Sequence, residues 1–259
     1  MSKNYFESEW RARFEYFAHS NSADHLVSGW SEFGLKRRLE IFSGLFKNGI
    51  IPTKVVTLDI GCGPGTYVRF LGGLECRVTG IDYSLPSLHR AVAADSQVVG
   101  RYANGEVYHL PFRDESFDLV VCMGVLQVLQ NPEGALDEIL RVLRPGGHVV
   151  IDFLNAWEVI AKVRRRWELL RGQPERLRTY TQGQVQSWFV ERGIGQKKFV
   201  GVYLAPASFP WAIRIIRNAW IIRMFEVIPG LSFFCAHAFI MVAQKTIPSA
   251  RFSSYDDES

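Results

Sequence analysis

From Val55 onward, short continuous runs of apolar residues alternate with stretches whose apolar positions recur every three or four residues. VVTLDIG, CRVTGID, FDLVVCM and HVVIDFL lack polar alternation, the pattern of strands buried on both faces of a parallel sheet. The segment from Val98 to Val107 holds a further short strand, and KFVGVYLA and AFIMVAQK supply a sixth and a seventh. Between the runs, the spacing predicts helices from about Tyr67 to Leu74, around Leu85 to Ala94, and from Pro132 to Leu143. The last is expected to be closed by Arg144, Pro145, Gly146 and Gly147. Strand and helix in alternation predict an α/β fold, a doubly wound, mostly parallel seven-stranded sheet with helices on both faces.

The flanks read differently. Residues 1–54 carry Tyr5, Phe6, Trp10, Phe14, Tyr16, Phe17 and Trp30 at spacings of short helices. An amphipathic helix follows over 35–47, broken by Gly49 and Pro52. This is a helical lid segment ahead of a main domain at 55–247. That domain has helical insertions at about 156–180 and 206–232, with a disordered polar tail expected over 248–259. In the first insertion Trp157, Ile160, Val163, Trp167 and Leu170 share one side, and Lys162, Arg164, Arg165, Arg166 and Arg171 the other. Residues 181–192 predict one more helix, stopped by Gly193. The second insertion sets Trp211, Ile215, Trp220 and Ile221 among Arg214, Arg217 and Arg223.

The 259 residues are 47% hydrophobic and 22% charged, which excludes a mainly disordered chain and suits one large domain. Thirty basic and 26 acidic residues leave a net charge of +4, which permits an anionic partner without arguing for one. Cys62, Cys76, Cys122 and Cys235 form no CxxC pair and no metal-ligand cluster. They fit reduced core thiols in a cytoplasmic protein. The first residues lack the apolar stretch of a signal peptide. Val227 to Ala243 is the longest uncharged apolar run, but it holds Pro229, Gly230 and His237 and reads as a loop and a buried strand.

The densest chemical signal is Leu58-Asp59-Ile60-Gly61-Cys62-Gly63-Pro64-Gly65-Thr66, between a strand and a helix. Alternate glycines allow a tight turn and let a ligand touch the backbone, and the helix N-terminus offers N–H groups. A dinucleotide loop would place a small residue where Thr66 stands. Asp59 would repel a pyrophosphate and favour a cationic ligand. Asp82 ends the second strand, where an acid can accept both hydroxyls of a ribose. Glu106 and Val107 follow the third strand, an acceptor and a backbone donor for an adenine edge. Together these describe a nucleoside with a cationic amino-acid tail, S-adenosylmethionine.

With the layout DIGCGPG, GID, LPF, FDLVV and VLRPGG, the chain resembles the class I S-adenosylmethionine-dependent methyltransferases. The resemblance is closest to the small-molecule (methyltransferase 11-like) group with its Rossmann-like sheet, over Val55 to Leu154 and in outline to Lys245. It implies that Asp59, Gly61, Cys62 and Gly63 form the loop at the methionine end, that Asp82 takes the ribose, and that Tyr83 packs beside the adenine. Glu106 and Val107 then meet the adenine edge, and Cys122 and Met123 line the cofactor's other side. Glu106 stands where relatives have Asp, and Gln127 where many have His, so a histidine base is excluded there. Gln127, Asn155 and Tyr180 are the candidate acceptor contacts. No catalytic base and no metal site is assigned, and an aromatic such as Tyr16 is expected to close over the cofactor.

Each residue also has a plainer reading. Asp82 can cap the next helix, Asp59 can accept from the loop's own N–H groups, Glu106 can yield its place to Asp114 or Glu115, and His109 and His237 can be satisfied polar residues. The activity implied is methyl transfer to a small-molecule or lipid-linked acceptor, with oxygen as the expected atom. A nucleic-acid or protein methyltransferase, or a non-catalytic binding module, is the alternative. A [DNS]PP[YF] motif is absent, since Cys122-Met123-Gly124 follows the fourth strand, so nucleic acid is not the expected partner. The two basic, apolar insertions suggest a cap over the acceptor or peripheral contact with a membrane.

Overall fold

A computed structural model describes residues 5–20, 23–172, 177–195, 197–204, 224, 227 and 230–247. Three helices open the chain, α1 (Tyr5–Ser20), α2 (Asp24–Val27) and α3 (Glu32–Lys47). Then follow β1 (Val56–Ile60), α4 (Thr66–Gly72), β2 (Arg77–Asp82), α5 (Leu85–Ala94), β3 (Gly100–Asn104) and β4 (Phe117–Cys122). The second half holds α6 (Pro132–Val142), β5 (Leu143–Leu154), α7 (Val159–Leu170), α8 (Gln182–Glu191), β6 (Lys197–Val202), α9 (Leu231–Cys235) and β7 (Ala238–Gln244).

The seven strands form one sheet in the order β3-β2-β1-β4-β5-β7-β6. The pairs up to β5 are parallel, and β7 runs antiparallel to both its neighbours, with Ile151 opposite Met241 and Phe199 opposite Met241. This is the expected α/β fold. The central strands β1, β4, β5 and β7 are mostly apolar because helices cover both faces, whereas β3 and β6 at the two edges carry polar residues. On one face Leu58, Ile60, Val120, Cys122 and Phe153 pack with Leu136, Ile139 and Leu140 of α6 and Val185 and Phe189 of α8. On the other, Val78, Leu119, Val121, Met123 and Ile240 pack with Phe42 and Leu45 of α3, Val68 and Leu71 of α4 and Leu88 of α5.

Helix starts follow local chemistry. Ser31, Ser84 and Asn131 accept from backbone N–H groups as N-caps of α3, α5 and α6, and Thr181 and Gln184 make a reciprocal capping box on α8. The aromatic N-terminus forms a 16-residue helix, α1, followed by the short α2. One departure is at Arg144 to Gly147. These residues do not end α6; they belong to β5, which starts directly at Leu143, and the β4–β5 register shifts between Phe117 and Leu119. The end of α6 is held instead by Lys245, whose Nζ donates to the carbonyls of Leu140 (2.9 Å) and Leu143 (2.7 Å). The insertion expected at about 206–232 lies outside the described residues apart from Met224, Val227 and residues 230–232, and the tail from 248 lies outside them. No helix among the described residues is long and apolar enough to cross a membrane.

Candidate active site

The carboxyl ends of β1, β2 and β4 open into a cavity, where a doubly wound sheet places its ligands. Gly61, Gly63 and Gly65 all adopt left-handed backbone, with φ of +67°, +51° and +79°. A Cβ on Gly61 would lie 2.4 Å from Val125 Cγ2, so space as well as conformation demands glycine there. The loop is stitched to β2. Gly61 N and Cys62 N donate to Ile81 O at 2.8 and 3.1 Å, and Gly63 N donates to Asp82 Oδ2 at 2.8 Å.

Asp82 therefore does two structural jobs, since its Oδ1 accepts from Ser84 N at 2.8 Å. It remains on the cavity wall. Burial raises its pKa to about 6, against the pull of the Ser84 and Gly63 N–H groups. Asp59 is 1% exposed and its Oδ2 has no hydrogen-bond partner. Burial, and then the charge of Asp82, hold its carboxyl well above the usual range. Asp59 is not on the wall itself; it lies next in the chain to Ile60, which is, as is Gly61. Tyr67, in the first turn of α4, is on the wall, 6% exposed, with its hydroxyl also unpartnered. Two buried oxygens without partners behind and on one wall are what an ammonium ligand would satisfy. The residues present thus fit the methionine end of S-adenosylmethionine.

The first helix roofs this cavity through Glu7, Trp10, Arg11 and Phe14. Tyr16 is not on the cavity wall; it is 66% exposed. Arg11 reaches both carboxylate oxygens of Glu106, one at 2.6 Å, and Glu7 at 3.0 Å, while its guanidinium lies 4.9 Å above the Tyr83 ring. Tyr83 OH donates to Arg11 O at 3.2 Å. Glu7 in turn accepts from Tyr108 OH (2.8 Å) and Gln130 N (2.9 Å). Glu106 is thus placed at the cavity, with Val107 beside it, but it is already engaged by the roof.

The β4 side is built by Met123, Gly124 and Trp30. Asp152 of β5 accepts from Gly124 N at 2.5 Å and from Arg38 Nε at 2.9 Å, both charges being almost wholly buried. Arg38 also stacks on Trp30 at 4.5 Å. Cys122 corrects an expectation: it does not line the cavity. Strand alternation turns it to the α6 face with Leu58 and Val120, and Met123 to the other. Burial raises the thiols of Cys62, which is on the wall, and Cys122 alike, so neither is an activated nucleophile.

The three acceptor candidates are not on the cavity wall either. Asn155 donates to Phe233 O (2.6 Å) and Ala236 O (2.8 Å) and accepts from Trp157 N (2.9 Å), so its amide is spent on the chain. Tyr180 OH donates to Leu126 O at 3.1 Å. Gln127 is 3% exposed, with its Oε1 unpartnered. What the sequence did not assign is a pair across elements: His237 Nδ1 lies 2.9 Å from Glu158 Oε2. His237 precedes the antiparallel β7, so it sits at the same sheet edge as the cavity, two strand spacings or roughly 10 Å from β4. Arg11, Arg38 and Tyr67 were also unassigned, whereas Trp10, Phe14 and Trp30 are aromatic residues of the N-terminal segment that do border the cavity.

Residues 58–151 match the family model described as "Methyltransferase domain". A provisionally named methyltransferase of Encephalitozoon cuniculi is 34% identical over 162 residues, 61% of this chain and 69% of that protein. A malonyl-[acyl-carrier protein] O-methyltransferase of Enterobacter lignolyticus is 32% identical over 117 residues, 45% of each chain. A ubiquinone biosynthesis O-methyltransferase of Alkalilimnicola ehrlichii is 36% identical over 101 residues, 38% of this chain and 41% of that one. The matches to those two O-methyltransferases therefore span less than half of their length. The magnesium protoporphyrin IX methyltransferase of Synechocystis, solved with bound S-adenosylhomocysteine, superposes with a TM-score of 0.59 at 14% identity, covering 94% of this chain and 98% of that one. The sheet, the glycine loop and these matches define one class, and the chain belongs to the S-adenosylmethionine-dependent methyltransferase domain family.

Proposed function

We propose that the protein transfers a methyl group from S-adenosylmethionine to a small-molecule or lipid-linked acceptor, with oxygen as the accepting atom. The observation that carries the cofactor reading is the pair of unpartnered buried oxygens, Asp59 Oδ2 and the Tyr67 hydroxyl, beside a left-handed glycine loop. Gly61, Cys62 and Gly63 let the methionine end approach the backbone, and Asp59 attracts its ammonium. Asp82 keeps lone pairs for the ribose, Tyr83 and Val107 flank the adenine, and Glu106 meets its edge while tied to the roof by Arg11. Met123 borders the opposite side.

The cofactor, when bound, supplies an electrophilic methyl on a sulfonium. The chain's task is alignment and exclusion of water, worth up to about 7–11 kcal/mol in well-oriented reactions. The roof of Trp10 and Phe14 excludes water, and the Arg38–Asp152 pair fixes Gly124 and Trp30. An acceptor hydroxyl must also lose a proton. We propose His237 for that step: it lies outside the cavity wall at the same end of the sheet, and its Nδ1 is engaged by Glu158, which leaves Nε2 for an acceptor that extends from the cavity. An oxygen acceptor also agrees with the O-methyltransferase names of two relatives. We place the protein in the cytoplasm, at a membrane surface when the acceptor is lipid-linked.

Tritiated S-adenosylmethionine incubated with cell-extract fractions tests this. Label is expected in the lipid or small-molecule fraction, and His237→Gln should reduce it without changing S-adenosylhomocysteine affinity. Label in RNA or protein would overturn the acceptor class. Tight cofactor binding with no label anywhere would make the chain a binding module.

A further inference from the structure

The large apolar side chains left exposed are not scattered. Among the described residues, ten of the sixteen that are more than about a third exposed fall between Trp157 and Phe234. Along α7, Val159, Val163, Trp167 and Leu170 are 51%, 58%, 60% and 79% exposed, a helical stripe turned outward. A helix of a globular domain normally turns such a stripe to the core. The helix is nonetheless held, since Arg165 donates to Thr179 Oγ1 at 3.0 Å. Its aromatic residues carry cations on their faces, Lys162 at 3.8 Å from the Trp157 ring and Arg171 at 5.2 Å from Trp167.

A second patch adjoins it. Asn155 ties the Phe233 carbonyl and the Trp157 N–H to one side chain, so α9 with Phe233 and Phe234, both exposed, flanks the start of α7. Charge then selects the occupant. Residues 159–171 contain five basic residues and one acid, Glu168. An apolar, tryptophan-bearing stripe flanked by cations is the chemistry of the interface of an anionic bilayer.

We propose that α7 and α9 form a docking face for an anionic phospholipid membrane. Tryptophan, valine and leucine side chains enter the headgroup boundary, and Lys162, Arg166 and Arg171 meet lipid phosphates. The face lies at the carboxyl end of β5, on the sheet edge that holds the cavity, so a membrane there presents a lipid-linked acceptor to the site. That use rests on the methyl-transfer reading; the docking itself does not.

The test is sedimentation of the full chain with vesicles of phosphatidylcholine, alone or mixed with phosphatidylglycerol, with tryptophan emission recorded in parallel. Binding is expected only when phosphatidylglycerol is present, with a blue shift of emission, and it should fade as salt is raised. Lys162→Glu with Arg166→Glu should weaken it by about tenfold or more. Val163→Asp with Trp167→Asp should abolish it while far-ultraviolet circular dichroism is unchanged, because both positions are exposed. Absence of binding, equal binding to both vesicle types, or full binding by the aspartate variant overturns the proposal. So does a lipid-free dimer that this variant disperses without vesicle binding, which would make the face a self-association surface. Vesicle binding that persists while no extract fraction is methylated would sink the acceptor reading alone.

Discussion

Asp59→Asn isolates the electrostatics of the cofactor cavity. The wild-type carboxyl is 1% exposed, lacks a partner on Oδ2 and faces the charge of Asp82, so without ligand its ionised form is disfavoured. An arriving ammonium restores that form. Asparagine keeps the shape and removes the charge. Asp59 stands behind the wall, so the loss should reach at most that of a charge-assisted hydrogen bond, about 1.5–3 kcal/mol or roughly 10- to 150-fold weaker affinity for S-adenosylhomocysteine by isothermal titration. 5′-Methylthioadenosine lacks the amino-acid end and should bind both proteins equally. Ligand-free stability should move the other way. A carboxyl whose folded pKa is raised favours folding below its unfolded pKa, near 3.8 for Asp59, and that stability is lost as pH rises through the folded value. In urea titrations the variant should therefore gain on wild type as pH is raised from about 4. Unchanged affinity for S-adenosylhomocysteine, or an equal loss for both ligands, would refute the reasoning.

Arg38→Met leaves Asp152 charged and unpaired in a nearly dry site, and should cost about 3–5 kcal/mol in urea unfolding, part of it regained by adding Asp152→Asn. A loss below about 1 kcal/mol would mean the pair is not energetically coupled to the fold. Gly124→Ala forces a Cβ to within 2.6 Å of Trp30 Cζ2 at a φ of +80°, so about 1–3 kcal/mol of stability should go, with weaker S-adenosylhomocysteine binding by titration. Arg11→Gln cuts the tie between α1 and Glu106. Both side chains are a third or more exposed, so stability should change by less than about 1 kcal/mol. Dissociation of S-adenosylhomocysteine in stopped flow should nevertheless accelerate, and an unaltered rate would detach α1 from ligand retention.

Apolar runs revealed the central strands because a sheet covered on both faces leaves them few polar positions, and the glycine loop was legible because its left-handed backbone favours glycine. The end of α6 was not. Pro145 and Gly146 look like a stop signal, but the helix carbonyls are capped by Lys245, a hundred residues downstream. Cys122 was misplaced for a local reason, since one step along a strand reverses the face. Asn155 and Tyr180 pair with each other just past the carboxyl end of β5, but their polar atoms are consumed by Phe233, Ala236 and Leu126. The Glu158–His237 pair and the Arg11–Glu106 tie join residues 79 and 95 positions apart, which no spacing rule can register. Tyr67 enters the sequence reading only as the start of a helix, and its unpartnered buried hydroxyl is what marks it.

The antiparallel β7 has a consequence for how the molecule is assembled. Strands β1 to β4 can pair among themselves as soon as they emerge from the ribosome. The edge of β5, however, stays open until residues beyond 237 have been made, because β7 is threaded between β5 and its older neighbour β6. The nucleoside half is therefore expected to form early in synthesis. The half carrying His237 and the Lys245 clasp on α6 closes only once β7 is made, so a ribosome paused before β7 would hold a chain with an unpaired strand edge, prone to capture by other chains.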